Sequence, residues 1–214
     1  MSRFRSLSLI LLVIFSGLTW AQDAEPVKKT HLSIKKHVVR PKGFRSLNYT
    51  TASLSYFSWG EAVTLAQGGQ VDHAHANMLG NALSVDWEHY FKPRFGVDIM
   101  GSFLFGVADV GGTQSVLSYN LVNQSWTGFG GAVHGAYRFS KWVVGTLGPI
   151  AIYRNLSLPQ DPSGTIATSG HSTNLGATVA LKMRLNDWLE VREEIGTFFG
   201  NPSTYWSVGL GYKM

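Results

Sequence analysis

Charged side chains recur at alternate positions in this chain. Asp86 and Glu88 stand two apart, as do Lys182 and Arg184, and then Glu190, Arg192 and Glu194. Asp98, His134, Arg138 and Lys213 occur in similarly alternating surroundings. Residues two apart on an extended chain share a face, so on paired strands these groups would converge on one side. Both signs are present and nearly matched. A charge in a narrow, poorly hydrated interior needs a partner, because losing one member of a buried pair costs about 3–5 kcal/mol.

Asp72-His73-Ala74-His75 offers a second chemistry, since His-x-His places two imidazoles on one side of an extended chain. Glu61 could contribute, but nothing else in the surrounding segment completes a four-ligand site, and no metal is expected. No phosphate-binding loop, nucleophile elbow, dinucleotide-binding glycine motif or zinc-protease helix occurs. No cofactor is expected either. The chain has no cysteine, which excludes a disulfide framework and a cysteine–zinc cluster.

The 214 residues are 44% apolar and 13% aromatic, with 24 glycines and only 14% charged residues. An ordinary soluble domain carries roughly 25% charged residues. A disordered chain would be polar and poor in aromatics. Arg3 and Arg5 precede an apolar run over 7–18, and Thr19 and Ala21 follow. This pattern predicts a secretory signal peptide over 1–21; the run is short of the roughly 20 residues a spanning helix needs. Residues 22–45 hold Lys28, Lys29, Lys35, Lys36, Arg40, Lys42 and Arg45 and little periodicity, and read as a basic N-terminal periplasmic arm. Export makes a nucleic-acid partner unexpected.

From residue 46 to 214 the apolar pattern has period two. It is clearest over 83–91, 95–107, 129–139, 175–184 and 206–214, and weaker over 46–58, 142–153 and 189–199, which makes eight candidate strands. A helix would space its apolar residues three and four apart. Short connections at 92–94, 140–141, 186–187 and 200–202 alternate with the long polar stretches 60–78, 108–124 and 154–170. Segment 116–122 alternates and could extend its hairpin as a partner-binding ribbon. An antiparallel up-and-down barrel of eight strands removes both sheet edges.

Two barrels fit: a soluble lipocalin-like carrier with the apolar parity inside, or a transmembrane β-barrel with it outside. The polar parity is small rather than hydrophilic, with Gly96, Ser102, Gly106, Gly130, Ala132 and Ala136 among its members. Such residues suit a crowded axis better than a wet exterior, which favours the membrane barrel. Asp86, Glu88, Asp98, His134, Arg138, Lys182, Arg184, Glu190, Arg192 and Glu194 then form a lumen charge network. Trp59, Trp87, Tyr90, Phe105, Trp126, Trp142, Trp188, Trp206 and Tyr212 lie near segment ends, where aromatic girdles meet the membrane interfaces. Glu193 falls on the lipid parity, implying a bulge near 192–194 or a position close to an interface.

Segment 46–214 resembles the small, eight-stranded outer-membrane β-barrel family, OmpA/OmpX-like. Trp206, Val208, Leu210 and Tyr212 match the alternating terminal segment of that family, although the chain ends in Met214 rather than an aromatic. The resemblance implies a bacterial outer-membrane location, contact with membrane lipid and lipopolysaccharide, and recognition by the barrel-assembly machinery during biogenesis. It implies a non-enzymatic role, structural or in surface interaction. Gly170-His171-Ser172-Thr173-Asn174 resembles the His-x-Ser-Asn pattern of the outer-membrane lipid A deacylases, in which His can activate the hydroxyl toward an acyl ester. Here the residue two after His171 is Thr173, so a lipid A-modifying acyl hydrolase is the lesser expectation.

Overall fold

The computed structural model describes residues 44–67, 70–111, 120–157, 166–168 and 170–214. The expected signal peptide, most of the basic arm and most of the ribbon at 116–122 lie outside the described residues. Among these described residues nine strands follow in order: β1 (Leu47–Gln67), β2 (Gln70–Tyr90), β3 (Phe95–Gly111), β4 (Asn120–Arg138), β5 (Val143–Leu156), β6 (Ile166–Thr168), β7 (His171–Arg184), β8 (Leu189–Phe198) and β9 (Asn201–Lys213). Eight of them form an antiparallel ring, β1-β2-β3-β4-β5-β7-β8-β9, in which β9 pairs back onto β1. The three-residue β6 pairs with the far end of β1, Leu65 facing Thr168. Leu47 faces Tyr90 and Lys213 faces Thr51. The start of β1, the end of β9 and the turns at 91–94, 139–142 and 185–188 therefore share one end of the ring, called the turn end below. The opposite, loop end includes the tight connection at Phe199-Gly200, where Gly200 adopts φ +79°, a backbone state that costs glycine little.

Alternation sets the two faces. Leu54, Leu83, Val85, Trp87, Phe103, Val133 and Leu210 point outward and are 40–54% exposed. The intervening Ser84, Asp86, Glu88, Asp98, His134, Lys182 and Ser207 are buried inside. The soluble carrier required the reverse, and the structure overturns it.

Within the long segment 60–78, residues 60–67 and 70–78 are strand rather than loop. β1 and β2 are 21 residues each and stay in register from Leu47/Tyr90 to Gln67/Gln70. Above Tyr56 the colouring of the two faces inverts. Trp59, Val63, Ala74, Ala76 and Met78 are buried inside, while Ala62, Thr64, His73, His75 and Asn77 face out. A segment with an apolar interior and a polar exterior looks like a loop only against the membrane-type pattern below it. The same inversion corrects the aromatic assignment. Trp59 and Trp126, 3% and 1% exposed, lie inside the ring rather than on a girdle. Tyr90 also lies inside, because it shares the parity of Glu88, and its hydroxyl donates to Glu88 Oε2 at 2.8 Å. Trp87, Phe105, Trp142, Trp188, Trp206 and Tyr212 stand on the outward side.

Glu193 keeps its outward parity with no bulge. Register is continuous from Leu189 to Thr197, and Glu193 faces Leu181 on β7 and Val208 on β9.

Candidate functional site: the layered lumen

Inward residues of β1, read from the turn end, are Tyr49, Thr51, Ser53, Ser55, Phe57, Trp59, Glu61 and Val63. They pass through each layer of the interior in turn.

At the turn end, Tyr49 is ringed by cations. Arg138 donates to its hydroxyl at 2.7 Å, and Arg184 and Lys213 lie 4.6 and 4.4 Å from its ring centre. Cation–aromatic contacts of this length hold charged groups where few carboxylates reach. Arg138 also stacks over Tyr90 at 4.9 Å.

The next layer is ionic and spans the ring. Lys182 on β7 donates to Glu88 on β2 at 3.0 Å and to Asp98 on β3 at 2.9 Å, with Asp86 at 3.9 Å. Arg184 bridges Glu88 at 2.7 Å and Glu190 at 3.2 Å. Arg192 meets Asp86 at 3.1 Å, Glu194 at 3.1 Å and Asp98 at 3.7 Å. His134 sits 3.4 Å from Asp98 and 2.9 Å from the Thr178 hydroxyl, with Glu194 at 4.0 Å. The structure thus brings nine of the sequence-picked charged residues into one connected cluster; Arg138 stands apart on the tyrosines.

Above the ions five rings fill the ring's centre. Phe57 stacks on Trp59 at 5.3 Å, Trp126 meets both edge-on at 5.6 and 5.1 Å, and Phe198 and Tyr205 close the group at 5.9 Å from each other. Edge-to-face pairs of this spacing are favourable beyond area burial. Trp126 fits because Gly80 faces it: a Cβ there would lie 2.9 Å from the indole and would clash with the Phe105 carbonyl. The Trp126 indole N–H donates to the Val107 carbonyl at 3.1 Å. The interior void lined by Ser84, Met100, Arg192 and Tyr205 measures about 20 Å³, room for one water molecule.

A polar latch, missed in the sequence, covers the rings at the loop end. Glu61 on β1 accepts two bonds from Arg154 Nε on β5, at 3.1 and 3.2 Å, and a further bond from its Nη2. Ser172 and Asn174 on β7 donate to the same carboxylate at 2.8 and 3.0 Å. Arg154 Nη1 reaches the Gly170 carbonyl at 3.0 Å. Every member is buried or half-buried.

This arrangement separates the residues expected to do chemistry. Ser172 points inward onto Glu61, whereas His171 is exposed on the outer face, so no His–Ser pair forms there. His73 and His75 share the exposed outer face of β2, with Thr64 Oγ1 3.5 Å from His73 Nδ1. Glu61 lies inside, away from them. Among the described residues no group of three or more His, Asp or Glu is placed to hold a metal.

A scan against known protein families finds no match, and a search of curated proteins finds none. Among solved structures the chain is similar to Ail, the attachment invasion locus protein of Yersinia pestis, at 17% identity and TM-score 0.46, over 78% of this chain and 99% of that one. It is also similar to the outer membrane protein OprG from Pseudomonas aeruginosa, at 12% identity and TM-score 0.47, over 78% and 95%. Neisserial surface protein A shows 10% identity and TM-score 0.41, over 80% and 100%.

Proposed function

We propose that the chain is a non-enzymatic bacterial outer-membrane barrel whose lumen is shut by its own side chains and whose taller loop end stands in the exterior. The inversion of the two faces along β1 and β2 carries this reading. Over the turn-end half, apolar groups face out and ions face in; above Tyr56 and Asn81 the outward face of β1 and β2 turns polar and the inward face turns apolar, except for Glu61 in its latch. One medium outside the ring cannot favour both. Lipid around the lower half and water around the upper half favour each in its place.

The magnitudes agree. Among the described residues 27 large apolar side chains are exposed. Each is worth about 1.5–3 kcal/mol on full burial, so leaving the band in water would forgo some tens of kcal/mol even at half that value. A soluble monomer's largest apolar patch is usually about 300–600 Å². Trp87, Trp142, Trp188 and Tyr212 stand outward near the turns, and Phe105 and Trp206 toward the far edge, placements that suit the two interfaces. The signal peptide over 1–21 supplies the export this location needs. Contact with membrane lipid and lipopolysaccharide, and handling by the barrel-assembly machinery, belong to the same reading.

For the lumen we propose a structural lock rather than a gate. Its ions are mutually paired across the ring and its rings leave little free volume, as in eight-stranded barrels filled by their own side chains.

Membrane fractionation with heat-modifiable gel migration tests the location, and planar-bilayer recording tests the lumen. The reading expects a membrane-pellet protein whose folded form migrates differently from the boiled one, with no sustained current. A chain that stays folded without detergent, or steady porin-sized currents, contradicts it.

A further inference from the structure

On the outer wall near the turn end, β3, β4 and β5 form an open groove of about 370 Å³. Its sides are Phe95, Tyr137, Phe139 and Leu147, and Gly135 and Gly145 lie along its floor. The groove is open at Gly135 because that outward position lacks a side chain, whereas the Phe139 ring lies over Gly145, where a Cβ would come within 2.9 Å of it. A Cβ on Gly135 would find its nearest neighbour at 3.8 Å, so backbone crowding does not demand glycine there. The aromatic walls are mutually braced, Phe95 against Tyr137 at 5.1 Å and Tyr137 against Phe139 at 5.0 Å.

The rim of this groove is cationic. Arg94 Nη1 donates to the Tyr137 hydroxyl at 3.5 Å, Lys92 lies on the same turn, and Lys141 lies over Trp142 at 4.6 Å on the next turn. Arg94, Lys92 and Lys141 are exposed, and none makes an ion pair among the described residues. The asymmetry is global. Among the residues whose side chains are described, every exposed Lys or Arg, namely Arg45, Lys92, Arg94 and Lys141, is at the turn end. The one exposed carboxylate on those turns is Asp187.

We propose that this groove binds one anionic glycerophospholipid of the leaflet meeting the short turns, an acyl chain lying over Gly135 beside the Phe139 ring and the phosphate held by Arg94 and Lys92. The inference rests on the membrane reading above. Apolar floor and cationic rim meet in one place, and that combination matches a phosphate ester carrying an alkyl chain. A guanidinium is suited to bind phosphate oxygens in pairs, and an interfacial tyrosine adds a hydroxyl. The volume falls within the roughly 300–1,000 Å³ of small-molecule sites.

The test reconstitutes the whole chain in vesicles of equimolar phosphatidylglycerol and phosphatidylcholine, then counts retained lipid by native mass spectrometry. The unchanged chain should retain one phosphatidylglycerol in preference to phosphatidylcholine. Arg94→Gln should lower that preference roughly fivefold, the worth of one cation at a membrane surface. Gly135→Leu, which fills the floor, should abolish retention of either lipid. Equal retention of the two lipids, retention unchanged in both variants, or a second copy of the chain in place of lipid overturns the proposal. Heat-modifiable migration in the same vesicles separates the two readings: a folded barrel with any of those results loses the groove assignment alone, whereas failure to insert removes both.

Discussion

Lys182 and Glu88 meet at 3.0 Å from strands that face each other across the eight-membered ring, β7 and β2. The contact ties opposite walls together through the middle of the lumen. Lys182 also serves Asp98 at 2.9 Å, so one cation holds two carboxylates with no exposed surface. Removing it should leave those carboxylates uncompensated. Lys182→Met is expected to lower the stability of the barrel in vesicles by about 3–5 kcal/mol, read from urea titration of the folded gel band. A loss below about 1 kcal/mol would show that the network is not rigid enough to depend on its centre.

Much of this interior was legible in the sequence, and the reason is periodicity. A period of two assigns each residue a face, and the small, charged parity could only be the crowded one. Asp86, Glu88, Asp98, His134, Lys182, Arg184, Glu190, Arg192 and Glu194 lie on that face. Two things could not be read that way. The strands above Tyr56 invert their colouring, so 60–78 looked like a polar loop although Gly68-Gly69 at its centre is a hairpin signal. Nearness to a segment end misplaces Trp59 and Trp126, for which parity is the better guide. The latch was missed because Glu61 and Arg154 are 93 positions apart, on strands whose facing ends depend on tilt and register that a single sequence does not display.

The latch makes its own prediction. Glu61 and Arg154 share several hydrogen bonds in a buried site. Substituting Glu61→Gln and Arg154→Gln singly and together should give a coupling energy of about 1–3 kcal/mol. Effects that add to within about 0.5 kcal/mol would show independent residues rather than a latch.

Glu193 tests the lipid-facing assignment from the opposite direction. It is flanked by Val191 and Ile195 along β8 and faces Leu181 and Val208 across it. A carboxylate so placed in lipid is unfavourable, less so than Arg or Lys. Glu193→Leu is expected to stabilise the barrel in vesicles by about 1–2 kcal/mol, again by urea titration. Destabilisation would mean that the carboxylate has a partner on that surface or that the surface is wet.

The aromatic layer bears on permeation. Trp59 and Trp126 touch at 5.1 Å in the centre of the ring. Replacing both by alanine should cost stability and open the upper lumen, so that brief bilayer current steps appear in the double variant and not in the parent. A variant as silent as the parent would show that the ionic layer alone seals the lumen.

The central claim is the direction in which the apolar parity points, and the absence of cysteine makes it directly measurable. Single cysteines at Ala82, Leu83, Ser84 and Val85, each carrying a nitroxide label in lipid vesicles, would report collision with dissolved oxygen, which concentrates in acyl chains. Labels at Leu83 and Val85 should collide strongly and those at Ala82 and Ser84 weakly. Strong collision at Ala82 and Ser84, or no alternation at all, would contradict the account.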